Sequence, residues 1–109
     1  MTGGGAGGLD RVMRLERPDR IVAVNGETVT QFADEGAHFV ALAPASLAER
    51  VAGERLGGTA THKARLRAPN PVRAGFRLVD EDERVFRVLG VDDSARRSGF
   101  LTCLLEEEA

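Results

Sequence analysis

The run Thr59–Arg67, T-A-T-H-K-A-R-L-R, constrains the fold of this chain most strongly, because its residues alternate in character along its whole length. One set of alternate positions holds Ala60, His62, Ala64 and Leu66, and the other holds Thr59, Thr61, Lys63, Arg65 and Arg67. Successive side chains of a β-strand point to opposite faces, so this pattern predicts a strand with one buried face. The other face meets either water or a charged partner.

The rest of the second half of the chain has the pattern of an antiparallel meander. The runs G-F-R-L-V and R-V-F-R-V-L-G-V are separated by the acidic turn Asp80–Glu83. We predict strands at Ala74–Val79, Arg84–Val91 and Phe100–Glu106, the first of them after a rigid A-P-N-P loop. The predicted fold class is mainly β, a small antiparallel β-barrel or sandwich with one short helix inserted between strands.

Three further segments with strand character precede that alternating run. Leu9–Arg17 predicts a first strand, which we expect Pro18 to end. An N-G dipeptide at positions 25–26 lies between two β-prone runs within Arg20–Phe32 and predicts a hairpin, because both positions of a type I′ turn need positive φ. Ala37–Ala43, A-H-F-V-A-L-A, is apolar on both faces and predicts a strand that is buried on both sides or lies at a subunit interface.

The predicted helix lies in the segment Pro44–Gly58. Ser46 and Glu49 have the spacing of a capping box and open a helix of about two to three turns. Leu47 and Val51 follow as an i, i+4 apolar pair, and the glycines at 57 and 58 end the helix. A helix this short is only marginally stable in isolation. We therefore predict that the segment is mobile in the free subunit and becomes ordered on assembly. The alternative is a helix that plugs one open end of the barrel.

Length and composition indicate one soluble domain. At 109 residues the chain can build a single modest core, and we expect a flexible glycine-rich leader at 1–8 and one domain at 9–109. The leader lacks the pattern of a signal peptide, and no apolar run is long enough to span a bilayer, which predicts cytoplasmic assembly without a membrane partner. Aromatic residues make up only 5%, with neither Trp nor Tyr, so stability that depends on neighbouring subunits is favoured.

The charges are segregated along the chain. The net charge of −2 argues against a dedicated nucleic-acid binder. Every charged residue from Arg55 to Val79 is basic, whereas acidic blocks stand at Asp80–Glu83 and Glu106–Glu108. These runs are either solvated strand faces, turns and a tail, or a basic edge that meets an acidic edge of a neighbouring subunit. A DNA groove is disfavoured, because no aromatic residues interleave the cations.

The sequence predicts no catalytic, cofactor-binding or metal-binding residue, and therefore no enzyme. His38 and His62 lie in predicted strands without a carboxylate at ligand spacing. Cys103 lies in the apolar run F-L-T-C-L-L, which favours a buried structural thiol. The carboxylates at Asp80–Asp82 leave a calcium site open, although the glycine and terminal glutamate of an EF-hand do not follow.

The order of the segments resembles a known family. G-L-D-R-V-M-R-L-E-R-P, N-G-E-T-V, F-V-A-L-A-P, T-A-T-H-K-A-R-L-R, G-F-R-L-V, R-V-F-R-V-L-G-V-D-D and L-T-C-L-L-E-E follow one another as in the head–tail joining proteins of long-tailed phages and phage-like gene transfer agents. The resemblance extends over roughly Gly8–Glu108.

The resemblance implies a structural connector, a head-closure or stopper ring of six subunits. Such a ring joins the adaptor on the portal to the tail terminator or tail tube, surrounds double-stranded DNA without reading its sequence, and retains the packaged genome. It belongs to a virion that is assembled in the bacterial cytoplasm. The candidate partner-contact residues are Lys63, Arg65, Arg67, Leu47, Val51, Glu54 and Arg55.

Two other classes compete with this interpretation. One is a free-standing small-barrel module that binds nucleic acid or a protein ligand, and co-purification with phage-like particles would separate it from a connector. The other is a small enzyme, which needs a convergent polar pocket that no motif of the sequence indicates.

Overall fold

The computed structural model describes residues 8–109, so the predicted leader lies outside the described residues except for its last glycine. The elements, in chain order, are β1 (Arg11–Val22), β2 (Thr28–Pro44), α1 (Leu47–Arg55), β3 (His62–Arg67), β4 (Arg77–Val79), β5 (Val85–Asp92), a 3-10 turn (Arg96–Ser98) and β6 (Phe100–Glu107). The strands form a closed antiparallel barrel in the order β1-β2-β3-β6-β5-β4. The predicted fold class, mainly β with one short helix between strands, is confirmed.

The alternation from Thr59 to Arg67 places β3 as predicted. Ala64 and Leu66 are fully buried in the barrel, and Ala60 is buried just before the strand. His62, on the same face, is half-buried and meets the Phe86 ring edge-on at 5.3 Å between ring centroids. The main core is otherwise aliphatic, apart from two Phe, one Met and one Cys, and comprises Met13, Leu15, Val40, Ala64, Leu66, Val72, Phe76, Leu78, Phe86, Val88, Leu101, Cys103 and Leu105.

The prediction that Pro18 ends the first strand is wrong. β1 continues through Pro18 to Val22 and pairs with β2 along this whole length, so the two strands form one long hairpin. Because β4 pairs with β1 only from Arg14 to Glu16, the next stretch of β1 has a single partner strand, and a proline is tolerated at such an edge. We call the part of the hairpin from Arg17 to Ala33 the arm.

The N-G dipeptide lies in the turn of this hairpin, but the turn is not type I′. The Gly26 N–H donates to Ala23 O at 2.8 Å, and the Ala23 N–H donates to Glu27 O at 2.7 Å. Among the described residues other than glycine only Glu83 has positive φ, so Asn25 does not meet the requirement of a type I′ turn. Gly26, at φ +87°, instead forms the left-handed residue of a longer loop with a bulge.

β2 bends at a second bulge, where the register with β1 shifts between Arg14 and Glu16. Gly36 adopts φ +90° there, and its N–H donates to the Asp34 carboxylate at 2.6 Å.

The prediction that Ala37–Ala43 is buried on both faces is wrong for the single chain. Val40 is fully buried, whereas the Phe39 side chain is 62% exposed. Burial of this strand at a subunit interface stays a prediction.

The capping box of α1 is confirmed. The Glu49 N–H donates to Ser46 Oγ at 3.2 Å, and the Ser46 N–H donates to Glu49 Oε1 at 2.7 Å. The predicted pair Leu47 and Val51 does not pack on the barrel, because Leu47 is 78% exposed and Val51 is 45% exposed. The helix instead contacts the barrel through Gly53, where an added Cβ would lie 2.7 Å from Ala60 Cβ.

The helix covers the outside of the barrel and does not close one of its ends. A second, small cluster under the helix contains Ala45, Ala60 and Leu89, with Leu104 packed against it. Leu104 alternates along β6 with Cys103 and Leu105, whose side chains fill the barrel, so Leu104 points outward. The alternative of a helix that plugs an open end is therefore wrong.

Candidate functional site

The outer face formed by residues 39–43 of β2 together with β3 and β6, which we call the basic wall, contains three cations, and its one carboxylate, Glu106 near the end of β6, is paired with Arg87 of β5 at 2.7 Å. The registers of the three strands place these side chains on one face: Phe39, Ala41, Ala43, Lys63, Arg65, Arg67, Phe100, Thr102 and Leu104. The structure thus brings Lys63, Arg65 and Arg67 together, as the alternation predicts. Their contact with a partner stays a prediction.

Two arginines of the basic wall lie beside one phenylalanine. The guanidinium carbon of Arg65 lies 4.7 Å from the Phe100 ring centroid, and that of Arg67 lies 5.9 Å from it. Neither arginine forms an ion pair within residues 8–109, and Arg65 Nε is buried without a hydrogen-bond acceptor there. Lys63, by contrast, lies 3.3 Å from Glu49 Oε2. Hydrogen bonding from Ser46, aided by Lys63, holds the pKa of Glu49 below its ordinary value.

The opposite side of the barrel, around β1 and β4, contains a concavity of about 430 Å³. Its apolar lining comes from Val12, Ala37 and Val79. The charged residues around it are mostly acidic, and they are Arg14, Asp34, Asp80, Glu81 and Glu83. We call this feature the acidic concavity. In a closed barrel of six strands β3 lies opposite β4, so the carboxylates of the turn after β4 lie across the barrel from Arg65 and Arg67, although both surfaces include residues of β2.

Asp80 is the most buried carboxylate of this concavity, with 6% of its surface exposed. Its Oδ1 accepts the N–H groups of Asp82 and Arg84 at 2.9 and 2.8 Å, which shapes the turn. Its Oδ2 has no hydrogen-bond donor among the described residues and lies 3.9 Å from a guanidinium nitrogen of Arg84. The predicted acidic turn is therefore partly a structural element and partly an acidic surface.

An ion-paired cluster fixes the base of the arm. Glu16, which is 9% exposed, accepts hydrogen bonds from Arg14 Nε at 2.8 Å and from Arg77 Nε. Burial disfavours ionisation of Glu16, but the hydrogen bonds from the two arginines outweigh it and lower the pKa of this carboxyl. Arg77 also lies with its guanidinium carbon 3.8 Å from the Phe32 ring centroid. β4 is thereby tied to both strands of the hairpin.

Beyond this base the arm projects from the barrel, and the molecule measures 53 × 29 × 29 Å. Within residues 8–109 the arm strands pair only with each other. Several large apolar side chains of the arm are exposed, namely Ile21, Val22, Val24 and Val29. Unpaired strand edges and exposed apolar patches are features of interaction surfaces, so the arm is a second candidate contact surface.

The match to a known family is nearly as long as the chain. A family model described as phage head completion protein matches residues 5–108. The chain belongs to this family. Membership gives this head completion protein a structural role in a phage head, and the predicted resemblance is confirmed at that level. The finer features that the resemblance implies stay predictions.

Two solved structures share the fold of this head completion protein. The solution structure of protein SF1141 from Shigella flexneri 2a has a TM-score of 0.73 at 19% identity, with 96% of this chain and 97% of the other covered. A chain in the virion of a native gene transfer agent particle has a TM-score of 0.64 at 24% identity, with 91% and 94% covered. The comparison with curated proteins gave no match.

The remaining partner-contact candidates of the head completion protein lie on α1. All four side chains are exposed on the helix that follows β2, and they are Leu47, Val51, Glu54 and Arg55. Neither Glu54 nor Arg55 has an ion-pair partner among the described residues. The helix thus presents apolar and charged side chains together to its surroundings.

The Cys103 thiol and the His38 imidazole, two groups that could take part in chemistry, both contact other parts of the fold. The Cys103 side chain is fully buried in the core, and this burial raises the pKa of its thiol to about 12. His38 contacts the Glu35 carbonyl oxygen at 3.1 Å and the Asn70 amide at 3.3 Å. Within residues 8–109 no three His, Cys, Asp or Glu side chains form a group that could hold a metal ion. None of the helices in this part of the chain is long and apolar enough to cross a membrane.

Sequence reasoning missed the acidic concavity, the arm and the Glu16 cluster. The run D-E-D-E predicts the acidic turn, but no feature of the run shows that Asp80 is its buried carboxylate. The contact of Phe100 with two arginines depends on the register of β3 with β6, and the sequence has no local signal for that register.

Proposed function

We propose that this head completion protein forms a stopper, or head-closure, ring of six subunits between the portal adaptor and the tail of a long-tailed phage or a phage-like gene transfer agent. The match of residues 5–108 to the head completion family carries the proposal, because it includes every element of the barrel. The ring contacts the adaptor on one side and the tail terminator or tail tube on the other. It resides in the virion after assembly in the host bacterial cytoplasm.

The surfaces of the barrel support a role in assembly. The basic wall with Lys63, Arg65 and Arg67 suits a contact with an acidic protein surface. The exposed pair Leu47 and Val51, together with Glu54 and Arg55, suits a contact with the adaptor or the tail. A chain with one modest core and this much exposed apolar surface gains stability from neighbours.

Double-stranded DNA passes through the lumen of the proposed ring and is retained there without sequence recognition. A net charge of −2 is compatible with passage, because a surface that bound DNA tightly would hinder its exit. No membrane contact is part of this function.

Deletion and complementation in the phage or gene transfer agent that encodes the chain test the proposal. Without the chain we expect heads that package DNA, fail to join tails and lose their DNA to added nuclease. A plasmid-borne copy restores tailed, nuclease-resistant particles, in which the chain co-purifies at six copies per particle. Normal tailed particles in the deletion strain would contradict the proposal and favour a free-standing module that binds nucleic acid or a protein ligand.

A further inference from the structure

We propose that the basic wall of one copy of this chain docks into the acidic concavity of the next copy, with Phe100 at the centre of the contact. The inference rests on the proposed ring and assigns the two surfaces that would join its subunits. Each copy carries both surfaces, so the contact is heterologous and continues from one copy to the next.

The placement of the two surfaces excludes a contact within one chain. Arg65 and Arg67 are on β3, Glu81 and Glu83 are in the turn that follows β4, and β3 lies opposite β4 in the closed barrel. One molecule therefore cannot bring its own Arg65 to its own Glu81. Two copies side by side in the same orientation can, and a small rotation between successive copies closes such an arrangement into a ring.

The charges of the two surfaces are complementary. Arg65 and Arg67 have no ion-pair partner among the described residues, and the acidic concavity contains four carboxylates and one arginine. Arg14 is itself occupied by Glu16 and Glu83, at 2.8 and 3.7 Å. The concavity thus keeps an excess of negative charge, which an arginine pair of a second copy would offset.

The apolar parts of the two surfaces also match. Phe100 is half-buried on the basic wall, with the guanidinium carbons of Arg65 and Arg67 4.7 and 5.9 Å from its ring centroid, and Val12, Ala37 and Val79 form the apolar lining of the concavity. The concavity is an open depression of about 430 Å³, which can accept part of an aromatic ring with a guanidinium group beside it. Aromatic and arginine side chains are the types that interface centres favour.

Each surface also contains one buried polar atom with an unmet hydrogen-bond requirement. Among the described residues these atoms are Arg65 Nε on the basic wall and Asp80 Oδ2 beside the concavity. One is a cationic donor and the other an anionic acceptor, so reorientation at an interface could satisfy both. A nucleic acid could satisfy Arg65 but not the Asp80 carboxylate, whereas a second copy of the chain can supply partners for both, which favours a second copy as the partner.

Charge reversal on the purified full chain tests the contact. Sedimentation velocity over a concentration series should show self-association of the unmodified chain. Arg65→Glu/Arg67→Glu and Glu81→Arg/Glu83→Arg should each lower the association constant by about tenfold or more. The chain with all four changes should regain part of the association, because the reversed charges attract one another again while Asp34 and Asp80 keep their negative charge. Arg96→Glu/Arg97→Glu, in the exposed 3-10 turn, is the matched control and should associate as the unmodified chain does.

Cysteine cross-linking checks the geometry independently of charge. Thr102→Cys on the basic wall and Glu81→Cys at the concavity, in one chain, should form a disulfide-linked ladder under mild oxidation. The pair Ser98→Cys and Glu81→Cys is the control and should not. Native Cys103 does not interfere, because it is buried and its pKa is raised to about 12.

Three results would overturn the contact: a chain that stays monomeric up to about 1 mM, reversals that leave association unchanged, or a fourfold variant that does not recover. Loss of DNA binding in Arg65→Glu/Arg67→Glu with unchanged self-association would assign the basic wall to nucleic acid instead. Failure of the proposed function is distinguishable, since it would appear as normal tailed particles in the deletion strain whatever the purified chain does.

Discussion

Arg77 stacks on Phe32, with its guanidinium carbon 3.8 Å from the ring centroid, and at the same time donates a hydrogen bond to Glu16. This one side chain connects the short strand β4 to both strands of the hairpin, because Glu16 belongs to β1 and Phe32 to β2. β4 has only three residues, so side-chain contacts of this kind matter more here than in the longer strands.

Removal of the Arg77 guanidinium should destabilise the fold. Arg77→Gln leaves Glu16, which is 9% exposed, with Arg14 as its one remaining cation among the described residues. We expect a loss of about 1–3 kcal/mol in the free energy of unfolding, measured by urea denaturation. Arg73→Gln is the control, because Arg73 is exposed, and it should change stability by less than about 0.5 kcal/mol. Equal effects of the two changes would contradict the role of Arg77.

The Glu16 cluster also predicts how stability depends on pH. Hydrogen bonds from Arg14 and Arg77 lower the folded-state pKa of Glu16 beneath its ordinary value of 4.5, despite the opposing effect of burial. A lowered folded-state pKa adds stability that is complete above pH 4.5 and is lost as the pH falls through the folded-state value. The pKa values of Glu49 and Glu107 are lowered as well, so they act in the same direction.

Urea denaturation at a series of pH values below 5 measures this dependence. Glu16→Gln should reduce the slope of unfolding free energy against pH in this acidic range, because the variant has no carboxyl at position 16 to titrate. Glu108→Gln, at the exposed C-terminal end, should leave the slope as it is. A slope that is the same in Glu16→Gln and in the unmodified chain would show that Glu16 does not couple to folding.

The packing of α1 on the barrel predicts that Gly53→Ala destabilises the fold, which is the opposite of the usual effect of Gly→Ala in a helix. Gly→Ala within a helix ordinarily stabilises it by up to about 1 kcal/mol. At Gly53 the new Cβ would lie 2.7 Å from Ala60 Cβ and 3.0 Å from the Ala60 backbone nitrogen, so Gly53→Ala should destabilise the fold. Thermal unfolding followed by circular dichroism checks the sign.

Gly90→Ala is the matched comparison for Gly53→Ala. There the added Cβ would lie 2.7 Å from Leu56 Cδ1, the far end of a flexible and half-exposed side chain. That side chain can move aside, so the cost should be smaller than at Gly53. A Gly53→Ala variant as stable as the unmodified chain would mean that α1 does not sit against Ala60 in solution.

The sequence was sufficient for those parts of the fold in which local pattern and burial agree. β3 has strict alternation, and its Ala64 and Leu66 are buried as predicted, while the capping box at Ser46 and Glu49 needs only residues three apart. The Pro18 error has a different origin. Whether a proline ends a strand depends on whether a second strand lies beside it, and that depends on the length of β4, far along the chain.

The candidate site was predictable only in part, for a related reason. The basic wall follows from the period of one strand, so Lys63, Arg65 and Arg67 could be placed on one face in advance. The acidic concavity combines side chains from β1, β2 and the turn after β4, and it exists only when the barrel closes. The i, i+4 spacing identifies Leu47 and Val51 as an apolar pair, but it does not show that the small residues Gly53 and Ala60 form the contact with the barrel while that pair stays exposed.

The segment from Ser46 to Gly58 should exchange its amide hydrogens faster than β3 in the free chain. α1 has nine residues, below the roughly 12–15 at which isolated helices become marginally stable, and its largest apolar side chains face away from the barrel. Its contact with the barrel depends mainly on Gly53 and on the small cluster around Ala45, Ala60 and Leu89. Such a contact can open without disturbing the main core.

Hydrogen exchange followed by mass spectrometry tests this prediction, with the Thr61–Leu66 strand as the internal standard. Ser46→Ala removes the capping hydroxyl, which should cost the helix about 1 kcal/mol and speed exchange in the helix alone. In assembled particles the same helix should gain protection, because Leu47 and Val51 would be covered by a neighbour. Protection in the free chain equal to that of β3 would mean that the helix is already held firmly and that assembly has nothing left to order.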